Sequence, residues 1–139
     1  MLTGHCLCNA VRYSIASPPL FAFICTCRAC VRLSAGARFA GFCVPAEAVI
    51  IEGPTKTFVH EGGSGQPARR HFCAECCTYI FSSPDVMAGS FNFSIGSLDD
   101  PDAVAPQVAV FARSRAAWDV TPNGVQCFET LPPHAQPMA

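Results

Sequence analysis

The chain has 139 residues, half of them hydrophobic and 14% charged, which suits one domain able to bury about two-thirds of the surface its unfolded form exposes and excludes a disordered segment. Nine basic and ten acidic residues leave a net charge of -1. That balance lacks the broad positive field with which a protein attracts nucleic acid or a membrane surface, so small molecules or a protein are the expected partners.

The opening Met1-Leu2-Thr3-Gly4-His5-Cys6 lacks the basic stretch and apolar run of a secretory signal, and Arg, Ser, Gly or Pro interrupts every apolar run well short of membrane-spanning length. A cytoplasmic protein is expected. In a reducing compartment its ten cysteines stay thiols, and clustered thiols there hold metal or carry out redox chemistry.

Twelve prolines and ten glycines cut the chain into short pieces, and few windows sustain a helical period. The reading is mostly β with little helix. Windows rich in β-branched and aromatic residues predict strands over 11–15, 20–24, 38–44, 49–51, 55–60, 79–82, 90–95 and 107–111, with one helical turn shortly before Trp118. The segment Glu61-Gly62-Gly63-Ser64-Gly65-Gln66-Pro67 has the composition of a mobile hairpin loop. It lacks the Lys-Ser/Thr ending of a phosphate-binding loop, so a ligand cradle is the lesser reading. The predicted organisation is a single zinc-binding catalytic-type domain over 1–130 and an extended tail over 131–139.

Three motifs bring sulfurs together: Cys6-x-Cys8, Cys25-x-Cys27-x-x-Cys30 and Cys73-x-x-Cys76. A tetrahedral zinc site takes four ligands, commonly as two pairs, and a catalytic site keeps one position open. Seven clustered cysteines divide most naturally into a closed four-sulfur site and an open three-sulfur site. The assignment taken is Cys6, Cys8, Cys73 and Cys76 for the first and Cys25, Cys27 and Cys30 for the second, two zinc ions in all, a choice among pairings that the family resemblance given below also favours. The first site joins the N-terminal strand to the second half of the chain, which makes its metal part of the folding free energy. The alternative is that the triplet recruits Cys43, Cys77 or Cys127 and closes. Cys43 and Cys127, beside Phe42, Val44 and Phe128, read as ordinary buried thiols. A redox role for Cys73-x-x-Cys76 lacks the βαβ context of a thioredoxin. Arg28 and Arg32, beside the triplet, are candidates to attract substrate carboxylates or are solvated loop charges. His71 and His60 are the candidate proton carriers.

These motifs resemble the glutathione-dependent formaldehyde-activating enzyme family, which includes the centromere protein V group, nearly end to end. The family's G-x-C-x-C-G-x-V-x-Y is similar to Gly4 through Tyr13, its C-x-C-x-x-C-R to Cys25 through Cys30 with Val31 and Arg32, and its R-x-F-C-x-x-C-G to Arg70 through Cys77. Its G-x-L-D-D-P element resembles Gly96 through Pro101, and its late pattern Trp118, Phe128, Leu131 and Pro132. The resemblance implies small coiled sheets of the β-tent type around zinc, a structural zinc on Cys6, Cys8, Cys73 and Cys76, and a second zinc on Cys25, Cys27 and Cys30. It also implies carbon–sulfur lyase chemistry on an adduct of a small thiol such as glutathione with a small aldehyde such as formaldehyde. The chain departs from the pattern where Asn9 and Cys77 replace glycines at turns that favour positive φ, where Thr26 replaces a His inside the second motif, and where Gln107 replaces a late His. Cys77 is thereby expected to distort its turn or compete as a ligand. A non-catalytic zinc module for protein interaction or metal carriage is the rival reading. Nucleic-acid association, as in the chromosomal branch of the family, goes with a basic extension and is not expected of this sequence.

Overall fold

A computed structural model describes residues 1–133. Strands dominate, as the short alternating windows predict: β1 (Leu2–His5), β2 (Arg12–Ile15), β3 (Phe21–Cys25), β4 (Phe39–Pro45), β5 (Val49–Glu52), β6 (Thr55–Glu61), β7 (Pro67–Cys73), β8 (Tyr79–Pro84), β9 (Ser90–Ser94), β10 (Val108–Val110) and β11 (Gln126–Cys127). A single α-helix among the described residues, α1 (Arg28–Ser34), and five 3-10 turns complete the chain. All eight predicted strands are present. Strands β1, β7 and β11 and the helix α1 were not predicted, and the expected helical turn is the 3-10 turn Ala112–Ser114. The end of the expected tail, 134–139, lies outside the described residues; Leu131 packs against the second core cluster and Pro132 is buried.

Two open sheets form. The smaller runs β1-β2-β5, and the larger runs β11-β10-β3-β4-β9-β8-β7-β6. All pairings are antiparallel except those of β10, which runs parallel to both β3 and β11. That parallel placement brings Val110 level with Cys25, so the chain after β10 leaves beside the triplet. An isolated antiparallel bridge ties Gly4 of β1 to Leu98 in the segment that follows β9. A Cβ at Gly4 would overlap the Ser97 carbonyl and the Tyr13 hydroxyl, so only glycine fits this approach.

The apolar residues separate into two clusters, and each contains one set of cysteines. Val11, Tyr13, Ile15, Phe42, Val44, Ile80, Phe81 and Phe93 pack between the sheets together with Cys6 and Cys73. Phe93 stands at the centre, with ring centroids 4.6 Å from Tyr13, 5.4 Å from Phe81 and 5.8 Å from Phe42. Phe23, Phe39, Val110 and Phe111 surround Cys25, Cys27 and Cys30. Apolar burial thus contributes to gathering the thiols of each set, at about 25 cal/mol for every Å² of apolar surface removed from water.

Candidate metal centres

The first centre is built from two turns of one design. After β1, Asn9 N–H donates to the Cys6 carbonyl at 3.0 Å and Val11 N–H to Cys6 Sγ at 3.2 Å. After β7, Cys77 N–H donates to the Cys73 carbonyl at 3.0 Å and Cys76 N–H to Cys73 Sγ at 3.5 Å. Asn9 (φ 64) and Cys77 (φ 60) both adopt the left-handed conformation, the one expected at the positions where the family carries glycine. Leu7 N–H donates to Thr78 Oγ1 at 3.2 Å and ties the two turns together.

The four sulfurs of Cys6, Cys8, Cys73 and Cys76 all lie within 4.8 Å of one another, with Cys6 to Cys8 at 3.5 Å and Cys8 to Cys73 at 3.8 Å. Sulfurs at ~2.3 Å from a tetrahedral zinc stand ~3.8 Å apart, so spacing and donor chemistry both fit a thiophilic divalent ion. Backbone N–H groups aimed at the sulfurs favour thiolate. The Thr78 hydroxyl, 3.1 Å from Cys76 Sγ, and then the Thr78 N–H draw the Cys76 thiol down to about 5. Cys77 does not compete: its side chain is exposed and outside the sulfur cluster.

The second centre is local. β3 delivers Cys25, Cys27 caps α1 by accepting Cys30 N–H at 3.4 Å, and the first turn of α1 returns Cys30 to the same side. The three sulfurs lie within 4.8 Å of one another, and their residues are only 4–6% exposed. Interaction with Cys25 and Cys30 depresses the Cys27 thiol. Its contacts with Cys27 and Cys30, reinforced by burial, push Cys25 well up. The set stabilises one thiolate readily and resists more without a cation. Among the described residues no fourth protein ligand joins it. Cys43 is buried in β4 level with Phe21, and Cys127 is exposed on β11.

Thr26 and Gln107, which stand where the family carries histidines, serve the fold. Thr26 Oγ1 donates to the Phe111 carbonyl at 2.9 Å, and Gln107 Oε1 accepts Ala22 N–H at 3.0 Å. Of the two candidate histidines, His71 stacks on Phe81 with centroids 4.1 Å apart and has Thr57 Oγ1 at 3.1 Å. His60 is connected to the triplet through a residue to which sequence reasoning gave no role. Arg70, 7% exposed, donates from Nε to His60 Nε2 at 3.0 Å, and its two terminal nitrogens reach Ser82 Oγ at 3.4 Å and Cys30 Sγ at 3.6 Å. With Nε2 accepting, the other ring nitrogen of His60 carries the proton and donates to the Glu61 carbonyl at 2.7 Å. The signal available was strand parity: Ala68 and Arg70 alternate inward along β7.

The glycine-rich segment is a hairpin connection, as expected, and it roofs the triplet. A Cβ on Gly63 would stand 3.0 Å from Cys27 Cβ and 3.1 Å from its sulfur. Arg28 and Arg32 are exposed beside the centre and form no ion pair or hydrogen bond among the described residues.

A sequence model described as glutathione-dependent formaldehyde-activating enzyme matches residues 1–114. A protein of Halomonas elongata, provisionally named a glutathione-dependent formaldehyde-activating enzyme, is 29% identical over 86 residues, covering 58% of this chain and 55% of the relative. The matched region thus spans about half the length of that relative. The fold is similar to the crystal structure of a Rhodobacter sphaeroides protein, with TM-score 0.55, 19% identity, and coverage of 70% of this chain and 87% of that one.

Proposed function

The chain belongs to the glutathione-dependent formaldehyde-activating enzyme family, and from that premise we propose that it is a zinc-dependent carbon–sulfur lyase acting on adducts of a small thiol with a small aldehyde. In the synthetic direction a C–S bond forms between the thiol sulfur and the carbonyl carbon, and the thiol proton ends on the former carbonyl oxygen. The lyase direction reverses both changes. In this reading Cys6, Cys8, Cys73 and Cys76 hold a structural zinc, Cys25, Cys27 and Cys30 hold the second, and residues 1–130 form one cytoplasmic domain. Zinc at the triplet would supply Lewis acidity and lower the pKa of a bound thiol toward neutrality.

The observation that carries the reading is the triplet itself: three converging sulfurs with no fourth protein donor among the described residues. A closed structural site needs four. The chain's own residues prepare the place. Arg70 fixes Cys30 through its sulfur and orients His60, Phe39, Val110 and Phe111 exclude water, and the Gly63 roof covers Cys27. Glutathione and formaldehyde are the pair to test. Zinc-loaded protein is expected to accelerate formation and breakdown of S-hydroxymethylglutathione in an NMR exchange experiment, and a rate equal to buffer alone would reject that pair.

A second reading, a non-catalytic zinc module for interaction or metal carriage, draws support from the burial of the triplet sulfurs beneath Gly63. It predicts that exogenous thiols fail to exchange with the triplet metal. The catalytic reading predicts that they do.

A further inference from the structure

The larger sheet ends on β6, and among the described residues no strand pairs with its outer edge. β6 is seven residues long, while β11 at the opposite edge has two. Exposed edges of that length are ordinarily blunted by proline, a bulge, charge or a covering segment. Neither proline nor bulge interrupts 55–61, and its one lysine, Lys56, lies toward one end. Phe58 and Val59 stand in mid-strand, each 56% exposed. An open row of backbone donors and acceptors beside exposed apolar side chains fits one kind of partner, another extended strand.

The β6–β7 hairpin fixes which backbone groups are free. Gly62 N–H donates to the Gln66 carbonyl at 2.8 Å, and Pro67, which has no N–H, lies opposite Glu61. Bonded and non-bonded pairs alternate along an antiparallel ladder, so Lys56, Phe58 and His60 bond to β7. The N–H and C=O groups of Thr55, Thr57, Val59 and Glu61 turn away from it. At the far end Ala74 N–H donates to the Pro54 carbonyl at 2.9 Å, which keeps the same parity. The Glu61 carbonyl already accepts from His60 Nδ1, so Thr57 and Val59 are the central free residues.

We propose that β6 pairs antiparallel with β6 of a second copy about a two-fold axis at Phe58, joining the larger sheets of two chains through one self-complementary seam. Full overlap of 55–61 with itself sets Thr57 opposite Val59 of the second copy, and Val59 opposite its Thr57. Both are bonded pairs, and together they make four N–H to C=O bonds. Phe58 meets its own counterpart at a non-bonded position, where side chains approach most closely and an aromatic pair is favourable. Thr55 falls opposite Glu61, and Lys56 opposite His60, whose Nε2 accepts from Arg70 and is unprotonated. No like charges face each other. An offset of one residue would set the free groups of one copy against groups of the other that already bond to β7, and larger offsets shorten the overlap. Phe58 also stacks on His60 with ring centroids 5.7 Å apart, so the seam backs the His60–Arg70 link to Cys30 in each copy.

The test is sedimentation velocity on the zinc-loaded full chain, under reducing conditions that exclude disulfides through the exposed Cys8, Cys77 and Cys127. A 14.8 kDa species is expected to convert reversibly to one of twice that mass, with a midpoint of about 10–100 μM, as suits a small interface. T57K/V59K changes two exposed positions and sets like charges opposite each other at both bonded pairs, which is expected to raise the midpoint at least about tenfold. T57K/V59E sets opposite charges there and is expected to hold or tighten the dimer. Circular dichroism checks that both variants fold. Amide hydrogen exchange on the parent needs no variant: concentrating the protein should slow exchange of the Thr57 and Val59 N–H groups about tenfold, while that of Phe58, already bonded to β7, stays unchanged. A monomer at every concentration up to about 1 mM, undiminished dimerisation of folded T57K/V59K, equal loss of the dimer in both variants, or slowed exchange confined to residues outside 55–61 would each overturn the proposal.

Discussion

Replacing Cys6 by Ser and replacing Cys27 by Ser remove the same atom from two different kinds of site, and their consequences should differ by several kcal/mol. Cys6 is fully buried in the main core, its sulfur accepts Val11 N–H, and its cluster joins residues 6–8 to 73–76 across both sheets. A structural zinc contributes ~10–16 kcal/mol of apparent binding energy, comparable to the ~5–15 kcal/mol net stability of a domain. Cys6→Ser should therefore cost more than ~4 kcal/mol, or more than ~15 °C in Tm at roughly 4 °C per kcal/mol. Cys27 joins only residues 25–30, and it is also the N-cap of α1. Serine is among the preferred N-cap residues, so Cys27→Ser keeps the helix start and removes one metal ligand alone, at a cost of ~1 kcal/mol. Thermal unfolding in excess zinc, with metal content by mass spectrometry, should give Cys27→Ser one zinc per chain and a Tm within about 5 °C of the parent. Comparable losses of Tm in the two variants would refute the division into a site that holds the fold and a site that does not.

Gly63→Val places methyl groups where the roof already touches Cys27; the overpacking should cost ~1–3 kcal/mol and lift the loop, seen as faster labelling of Cys27 by a thiol reagent in metal-free protein. Arg70→Met deprives Cys30 Sγ and His60 Nε2 of their donor and should cost ~1–3 kcal/mol in urea unfolding, with Arg70→Lys recovering only part because an ammonium cannot span the same fork. His71, desolvated against Phe81 and near the Arg69 cation, has its pKa lowered from 6.5. Its ring stays neutral in the folded state at pH values where the unfolded chain binds a proton, so its contribution is neutral above ~6.5 and destabilising as pH falls below it. NMR titration of the His71 ring protons should give a midpoint below the free-imidazole value, and a midpoint at or above it would contradict the packing.

Strand content was legible because β-branched and aromatic residues cluster between proline and glycine breaks, and because the buried positions of β3 and β4 are apolar. β7 escaped because its inward face carries Arg70, a charge where alternation leads one to expect an apolar residue. α1 escaped because seven residues are too few to establish a helical period and its N-cap is a cysteine, read instead only as a ligand. The sulfur groupings were legible from spacing together with family resemblance, and so was the positive φ at Asn9 and Cys77. The Gly63 roof and the Arg70 link were not, because both depend on the β6–β7 hairpin folding across residues far away in sequence. Nothing in the local composition of residues 61–67 carries that information.

The unequal reach of the two sulfur sets also orders events during folding. Cys25, Cys27 and Cys30 form a loop closed in tens of nanoseconds, whereas Cys6 and Cys73 meet only after 66 intervening residues have been gathered, a closure that must wait for β-pairing between distant segments. A nascent chain leaving the ribosome can therefore complete the local set while more than 40 residues remain to be made before Cys73 emerges. The long-range set comes last, and a chain cut short before residue 73 has two thiols, Cys6 and Cys8, that cannot find their partners.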